Sequence, residues 1–270
     1  MLKWLVFCLF LLAPTAVTAK PLTYLVIAQQ AEPFQIVDAQ HHAIHYSGII
    51  TDIVYELAEH HLDISLATEH APFLRYIRSM HDKDKQPWLS YGSPAWAKVS
   101  GVEIQNSNLI ATPLFTVKHQ LVSLAATELN YRTIDELFGK SVILLTGYSY
   151  PGLDQYIESG QINAVTVNSH QSALKALKNR RGIAFVSMGI RSHYTINRYH
   201  FNKQDFDFAD FSDTIKPNTI HLSHSEDLPQ ALINKLNAAI ISMHQDHKIA
   251  QIIAKYTLAS KNRTSLEAQQ

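Results

Sequence analysis

The chain of 270 residues contains one cysteine, Cys8, and it falls in an amino-terminal segment that reads as removable. With no other thiol, disulfides, iron–sulfur clusters, cysteine-ligated zinc and cysteine nucleophiles are excluded from the remainder. Bulky Phe7 before it also excludes a lipoprotein cysteine. An excess of either charge is missing: Lys+Arg and Asp+Glu both number 23. No basic stripe points to nucleic acid, and no basic amphipathic helix points to a membrane surface. After the amino-terminal segment, no apolar run approaches the about 20 residues that span a bilayer. There is no internal repeat and no low-complexity linker. The Gly-x-Ser-x-Gly elbow, the phosphate loop and Gly-x-Gly-x-x-Gly are all absent, so no enzyme class is signalled.

The amino terminus is informative. Met1 and Lys3 are followed by an unbroken apolar run from Leu5 to Leu12, then Pro14, then the small residues of Val17-Thr18-Ala19. That order is the grammar of a secretory signal peptide cut after Ala19, which predicts a periplasmic protein. Cleavage would remove Lys3 alone among the charged residues, leaving 22 basic against 23 acidic groups. A secreted chain without disulfides must rest on its core, and this length builds one large or two medium domains.

Strand-like and helix-like segments alternate. Leu22 to Ala28 reads as a buried strand. Ile50 to Leu62 has helical apolar spacing at Ile50, Ile53, Val54, Leu57 and Ala58. Asp63 to Ala67 reads as a strand, Pro72 as the start of a helix, and Pro87 to Ser90 as a third strand. Thr133 and Glu136 are spaced as a capping box. Ser141 to Leu145, Pro151 to Ile157, Val165 to Val167, Ser172 to Lys178 and Ile183 to Val186 then make a second strand–helix series. Ala111 to Ser123 is an extended stretch able to cross between two halves. Thr219 to Leu222 and helices near Pro229 to His244 and His247 to Leu258 close the chain. Such alternation argues parallel sheets flanked by helices, an α/β protein with two lobes and a cleft.

Four motifs sharpen this reading. They are Glu32-Pro33-Phe34 with Gly48-Ile49-Ile50-Thr51-Asp52-Ile53; Arg132 to Val142, containing Asp135-Glu136-Leu137-Phe138-Gly139-Lys140; Ser172 to Leu177 leading to Arg181-Gly182-Ile183-Ala184-Phe185-Val186; and Leu232 to Ile240 with Ile249 to Tyr256. In this order and spacing the chain resembles the family 3 extracellular solute-binding proteins, the type II periplasmic binding proteins of polar amino-acid uptake. The resemblance runs from Leu22 to Leu258. It implies a signal peptide (1–19), a first lobe (20–115), a second lobe (116–213), a return to the first (214–258) and a flexible tail (259–270).

The family closes two lobes on a small polar ligand without chemistry or cofactor, for an ABC importer or a membrane sensor, usually as a monomer. Carried over by position, the resemblance implies ligand contacts at Phe34, Phe73, Ser90 and Ser93, with Lys98 where amino-acid binders have a carboxylate-clamping arginine. Arg75 is an alternative anion partner. Ser149 and Tyr150 precede the Pro151 helix of the second lobe, and Ser187 follows Val186. Amino-acid binders usually have an aspartate after that strand for the ammonium group. Here the residues are Ser187-Met188-Gly189, so an ordinary α-amino acid fits less well than a ligand lacking the ammonium or one held by hydroxyls and aromatic faces.

Fifteen histidines raise the question of metal. His41-His42 with His45, and His60-His61, are the clusters. Metal binding needs about three or four converging ligands, and neighbours along a strand point apart. Polar surface and helix-end capping are the expectation, with zinc or copper capture as the minority alternative. A dehydratase-like acid at Glu32 is the minor enzymatic alternative.

Overall fold

The computed structural model describes residues 21–40, 43–82, 87–96, 98–99, 102–103 and 108–258. The expected signal peptide and tail, and His41 and His42, lie outside the described residues.

The first lobe opens with β1 (Leu22–Ile27), every residue of which is buried. A continuous apolar run is what a strand covered on both faces requires. β2 (Ile36–Gln40) and β3 (Ala43–Ser47) form an antiparallel hairpin. α1 (Ile49–Glu56) continues into a π-helical stretch, Leu57–Leu62, stopped by Asp63 in the left-handed region. β4 (Leu66–Ala71) then pairs in parallel with β1. The expected strand over 63–67 therefore starts three residues later, because Asp63 still closes the helix. Pro72 stands just outside α2 (Phe73–Met80) as its N-cap residue. β5 (Trp88–Gly92) pairs with the other edge of β1. β6 (Lys98–Val99) and β7 (Val102–Glu103) make a small hairpin before β8 (Phe115–Val117).

The chain then crosses at Lys118 into β9 (His119–Leu124), followed by β10 (Ser141–Leu145), α3 (Asp154–Glu158), β11 (Asn163–Val167), α4 (His170–Lys178), β12 (Ala184–Met188), α5 (Gly189–Arg198) and β13 (Phe206–Asp210). A second crossing over 211–217 leads back to β14 (Asn218–His224), α6 (Gln230–Gln245) and α7 (Lys248–Thr257). The sheet orders are β4-β1-β5-β14-β8 and β11-β10-β12-β9-β13. β8 belongs to the first sheet because Asn218 of β14 registers with Val117, so the first crossing follows Val117 rather than residue 115.

The second sheet shows why its strands fold as they do. Val142, Leu144, Ala184 and Val186 face one hydrophobic cluster, while Ile143, Leu145 and Phe185 face another. Successive side chains leave a strand on opposite faces, so both faces are apolar and both are covered. The capping box at Thr133 does not form. The Glu136 carboxylate instead accepts from the Arg132 N–H at 2.7 Å, and the segment makes only a 3₁₀ turn, Ile134–Leu137.

The loop after β1 is held by one buried side chain. Gln35 donates through Nε2 to the Tyr24 hydroxyl (2.9 Å) and to the Leu25 carbonyl (3.0 Å), and its Oε1 accepts from the Ile27 N–H at 2.8 Å. Buried polar groups need partners, and here those partners fix Gln29, Gln30 and Ala31 at the strand's carboxyl end. At the rear, α5 reaches the first lobe, with Asn197 Nδ2 donating to the Thr257 carbonyl of α7 at 3.0 Å.

Candidate ligand-binding cleft

A cavity of about 1280 Å³ lies between the two sheets, lined by residues from both lobes. That is near or somewhat above the upper end of small-molecule sites, about 300–1,000 Å³. The first-lobe wall is aromatic. Phe73 stacks on Tyr76 with centroids 6.3 Å apart, and Tyr91 meets Trp96 edge-on at 5.6 Å. Tyr76 is fixed by a hydrogen bond with Ser90 Oγ at 2.7 Å, and Ser90 in turn donates to the Leu25 carbonyl at 2.9 Å. Burial pushes the Tyr91 phenol up to about 12 and raises Tyr76 as well, so both remain protonated at neutral pH.

The second-lobe wall is built from strand ends and the helices that follow them. Tyr148, Ser149 and Tyr150 come from the loop after β10, Ser187 from the end of β12, and Arg191 from the first turn of α5. Tyr150 is held by the Leu145 N–H, which donates to its hydroxyl at 2.8 Å. His119, at the first crossing, and His170, at the start of α4, complete the lining. Burial drives the His119 pKa down to about 4. Burial, helped by the Arg191 charge, drives His170 down to about 3. Both rings are therefore neutral near pH 7.

Arg191 is 7% exposed and is the one formally charged side chain among the buried described residues. Its Nη1 donates across the cleft to the Gln30 carbonyl at 2.9 Å, and its guanidinium lies 4.8 Å over the Phe34 ring. Its Nε is buried without a hydrogen-bond partner, as are His119 Nδ1 and Ser223 Oγ, and all three residues line the cavity. Among the described residues no carboxylate pairs with Arg191.

Of the residues expected from the sequence, Phe73, Ser149, Tyr150 and Ser187 line the cavity. Phe34, Arg75, Ser90 and Ser93 do not. Phe34 is fully buried against Tyr91 and Phe115 and forms the seat under Arg191. Ser90 is locked inside β5 by the bonds above. Ser93 is buried, its Oγ accepting from the Ala95 N–H at 3.3 Å. Arg75 is exposed on α2 and absent from the lining. The Lys98 side chain lies outside the described residues. Glu32 is exposed and also away from the lining, and His45, His60 and His61 are exposed. Among the described residues no three His, Cys, Asp or Glu side chains gather to hold a metal, and no helix is long and apolar enough to cross a membrane.

Sequence reasoning missed Arg191, His119 and His170. Arg191 stands in the first turn of α5 beside the β12 strand end, a helix that its weak helix formers do not announce.

No family model matches the sequence, and no curated protein matches it. Solved structures do. An ancestral cationic amino acid solute-binding protein superposes with TM-score 0.65 at 14% identity, over 88% of this chain and 95% of that one. The GluR0 ligand-binding core in complex with L-glutamate gives 0.63 at 14%, over 89% and 99%. The periplasmic VFT2 domain of Bordetella pertussis BvgS gives 0.61 at 17%, over 87% and 93%. At these identities the likeness shows the fold alone: the chain has the two-lobed α/β fold of the periplasmic solute-binding proteins, with a cavity of about 1280 Å³ between the lobes.

Proposed function

We propose that this chain is a periplasmic solute-binding protein that closes its lobes on a small polar solute, for ABC-type import or for report to a membrane sensor. The observation that carries the reading is the cavity walled by both sheets, with the chain crossing between them at Lys118 and again over 211–217. Two crossings of this kind serve as a hinge, and a solute that touches both walls favours the closed arrangement. The structural neighbours support both uses, since they include a solute-binding protein and a domain of BvgS. A binding role fits better than catalysis, because Glu32, the acid proposed for turnover, is exposed and outside the lining.

Thermal unfolding against a panel of amino acids, organic acids, polyamines, small sugars and divalent metals tests the reading. One organic class is expected to stabilise the protein, by about 2.7 kcal/mol at a hundredfold excess over Kd. Phe73→Ala, at a half-buried wall position, is expected to reduce the effect. Stabilisation by metals alone, or by a solute indifferent to Phe73→Ala, contradicts the assignment.

A further inference from the structure

We infer that the solute is a small carboxylate lacking an α-ammonium group, gripped by Arg191; this rests on the solute-binding reading above. Arg191 stands in the first turn of α5, where the helix already presents partial positive charge. A buried cation at that position is unfavourable unless a negative group joins it, and among the described residues none does. One arm of the guanidinium is engaged, Nη1 donating to the Gln30 carbonyl at 2.9 Å. The uncommitted side is the edge formed by Nε and Nη2. Nε is buried and without an acceptor. That edge is the one that takes a carboxylate through two parallel N–H···O bonds.

The rest of the lining gives an ammonium no buried counter-charge. The buried described residues include no Asp or Glu, and the lining carboxylates, Asp82, Glu226 and Asp227, are exposed. A desolvated ammonium would meet hydroxyls and two neutral imidazoles, with no buried counter-charge. The aromatic wall of Phe73, Tyr76, Tyr91 and Trp96 suits an apolar or planar body behind the carboxylate. Because Arg191 belongs to the second lobe and holds Gln30 of the first, a carboxylate on its free edge also ties solute binding to the contact between lobes.

Matched probes test this with the full protein. 3-Phenylpropanoate and L-phenylalanine share a skeleton and differ by the ammonium; glutarate and L-glutamate form a second pair; phenethylamine carries the ammonium alone. In titration calorimetry, at least one carboxylate is expected to bind tenfold or more tightly than its amino-acid counterpart, and phenethylamine not at all. Arg191→Lys keeps a charge without the fork and is expected to weaken that carboxylate tenfold or more, with an unchanged circular dichroism spectrum; Arg191→Gln is expected to abolish binding. An amino acid that binds as tightly as its counterpart, or carboxylate binding that survives both substitutions, overturns the inference. The comparison between probes needs no variant, so misfolding of either one leaves the test standing. Binding of a sugar or amine indifferent to Arg191 overturns the inference and leaves the solute-binding reading intact. No binding by these probes or by the wider panel overturns both.

Discussion

Gly152→Ala is expected to destabilise the protein by about 2–5 kcal/mol and to disable the cleft. Gly152 has φ +94, in the region that only glycine enters readily, and a Cβ there would strike the Thr214 carbonyl oxygen. The backbone strain costs about 1–3 kcal/mol and the overpacking about as much again. Relief requires the loop over 147–152 to move away from the second crossing, and Tyr148, Ser149 and Tyr150 move with it. Gly147→Ala is the control. Its φ is +80, but a Cβ there meets nothing within 4 Å, so only the strain component remains. Urea denaturation of both variants reads the difference. Equal losses would contradict the close approach of the loop to Thr214.

Acid is expected to destabilise the fold by several kcal/mol between about pH 6.5 and 4, before most carboxylates titrate. His119 and His170 have folded-state pKa values lowered to about 4 and about 3, chiefly by burial, against an unfolded value near 6.5. In that window the unfolded chain binds protons that the folded chain cannot, so stability rises with pH. It is fully present above about pH 6.5 and is lost as pH falls toward each folded pKa. Each histidine contributes a slope of up to about 1.4 kcal/mol per pH unit. His193 is shifted in the same direction by burial and by Lys203. Denaturation midpoints measured across pH 4.5–7.5 should show the slope, and His170→Leu should flatten it by about one proton. A flat profile in the wild type would mean that neither ring is buried as described.

Much of the fold was legible because its strands and helices are self-consistent. Ser141 to Leu145 follows from a short apolar run rich in β-branched residues and the helices near Gln230 and Lys248 from apolar spacing. α5 was not legible. Gly-Ile-Arg-Ser-His-Tyr-Thr-Ile-Asn-Arg has weak helix formers at most positions, and tertiary packing overrides them, with Ser192, Thr195 and Ile196 buried. The hidden helix conceals its cation, and the visible sequence pattern points instead to Arg75 and Lys98 for an anion. Ser90 lies outside the cavity lining for a different reason. Every residue of β5 is buried, so alternation along the strand cannot tell which side chains reach the cleft. Phe34 follows a Pro-Phe motif, and its ring turns inward beneath Arg191. Phe73 opens α2 and Ser187 is next to last in β12, while Ser149 and Tyr150 lie in the loop after β10, positions that the sequence does indicate.

Intrinsic tryptophan fluorescence tests the central claim most directly. The chain has three tryptophans: Trp4 in the expected signal peptide, and Trp88 and Trp96, both of which line the cavity. A solute that stabilises the protein should also change the emission of these two rings, saturably and with the Kd found by calorimetry. The change should shrink in Trp96→Phe. A solute that binds and stabilises while leaving both tryptophans unperturbed would place its site elsewhere and contradict a ligand held between the lobes.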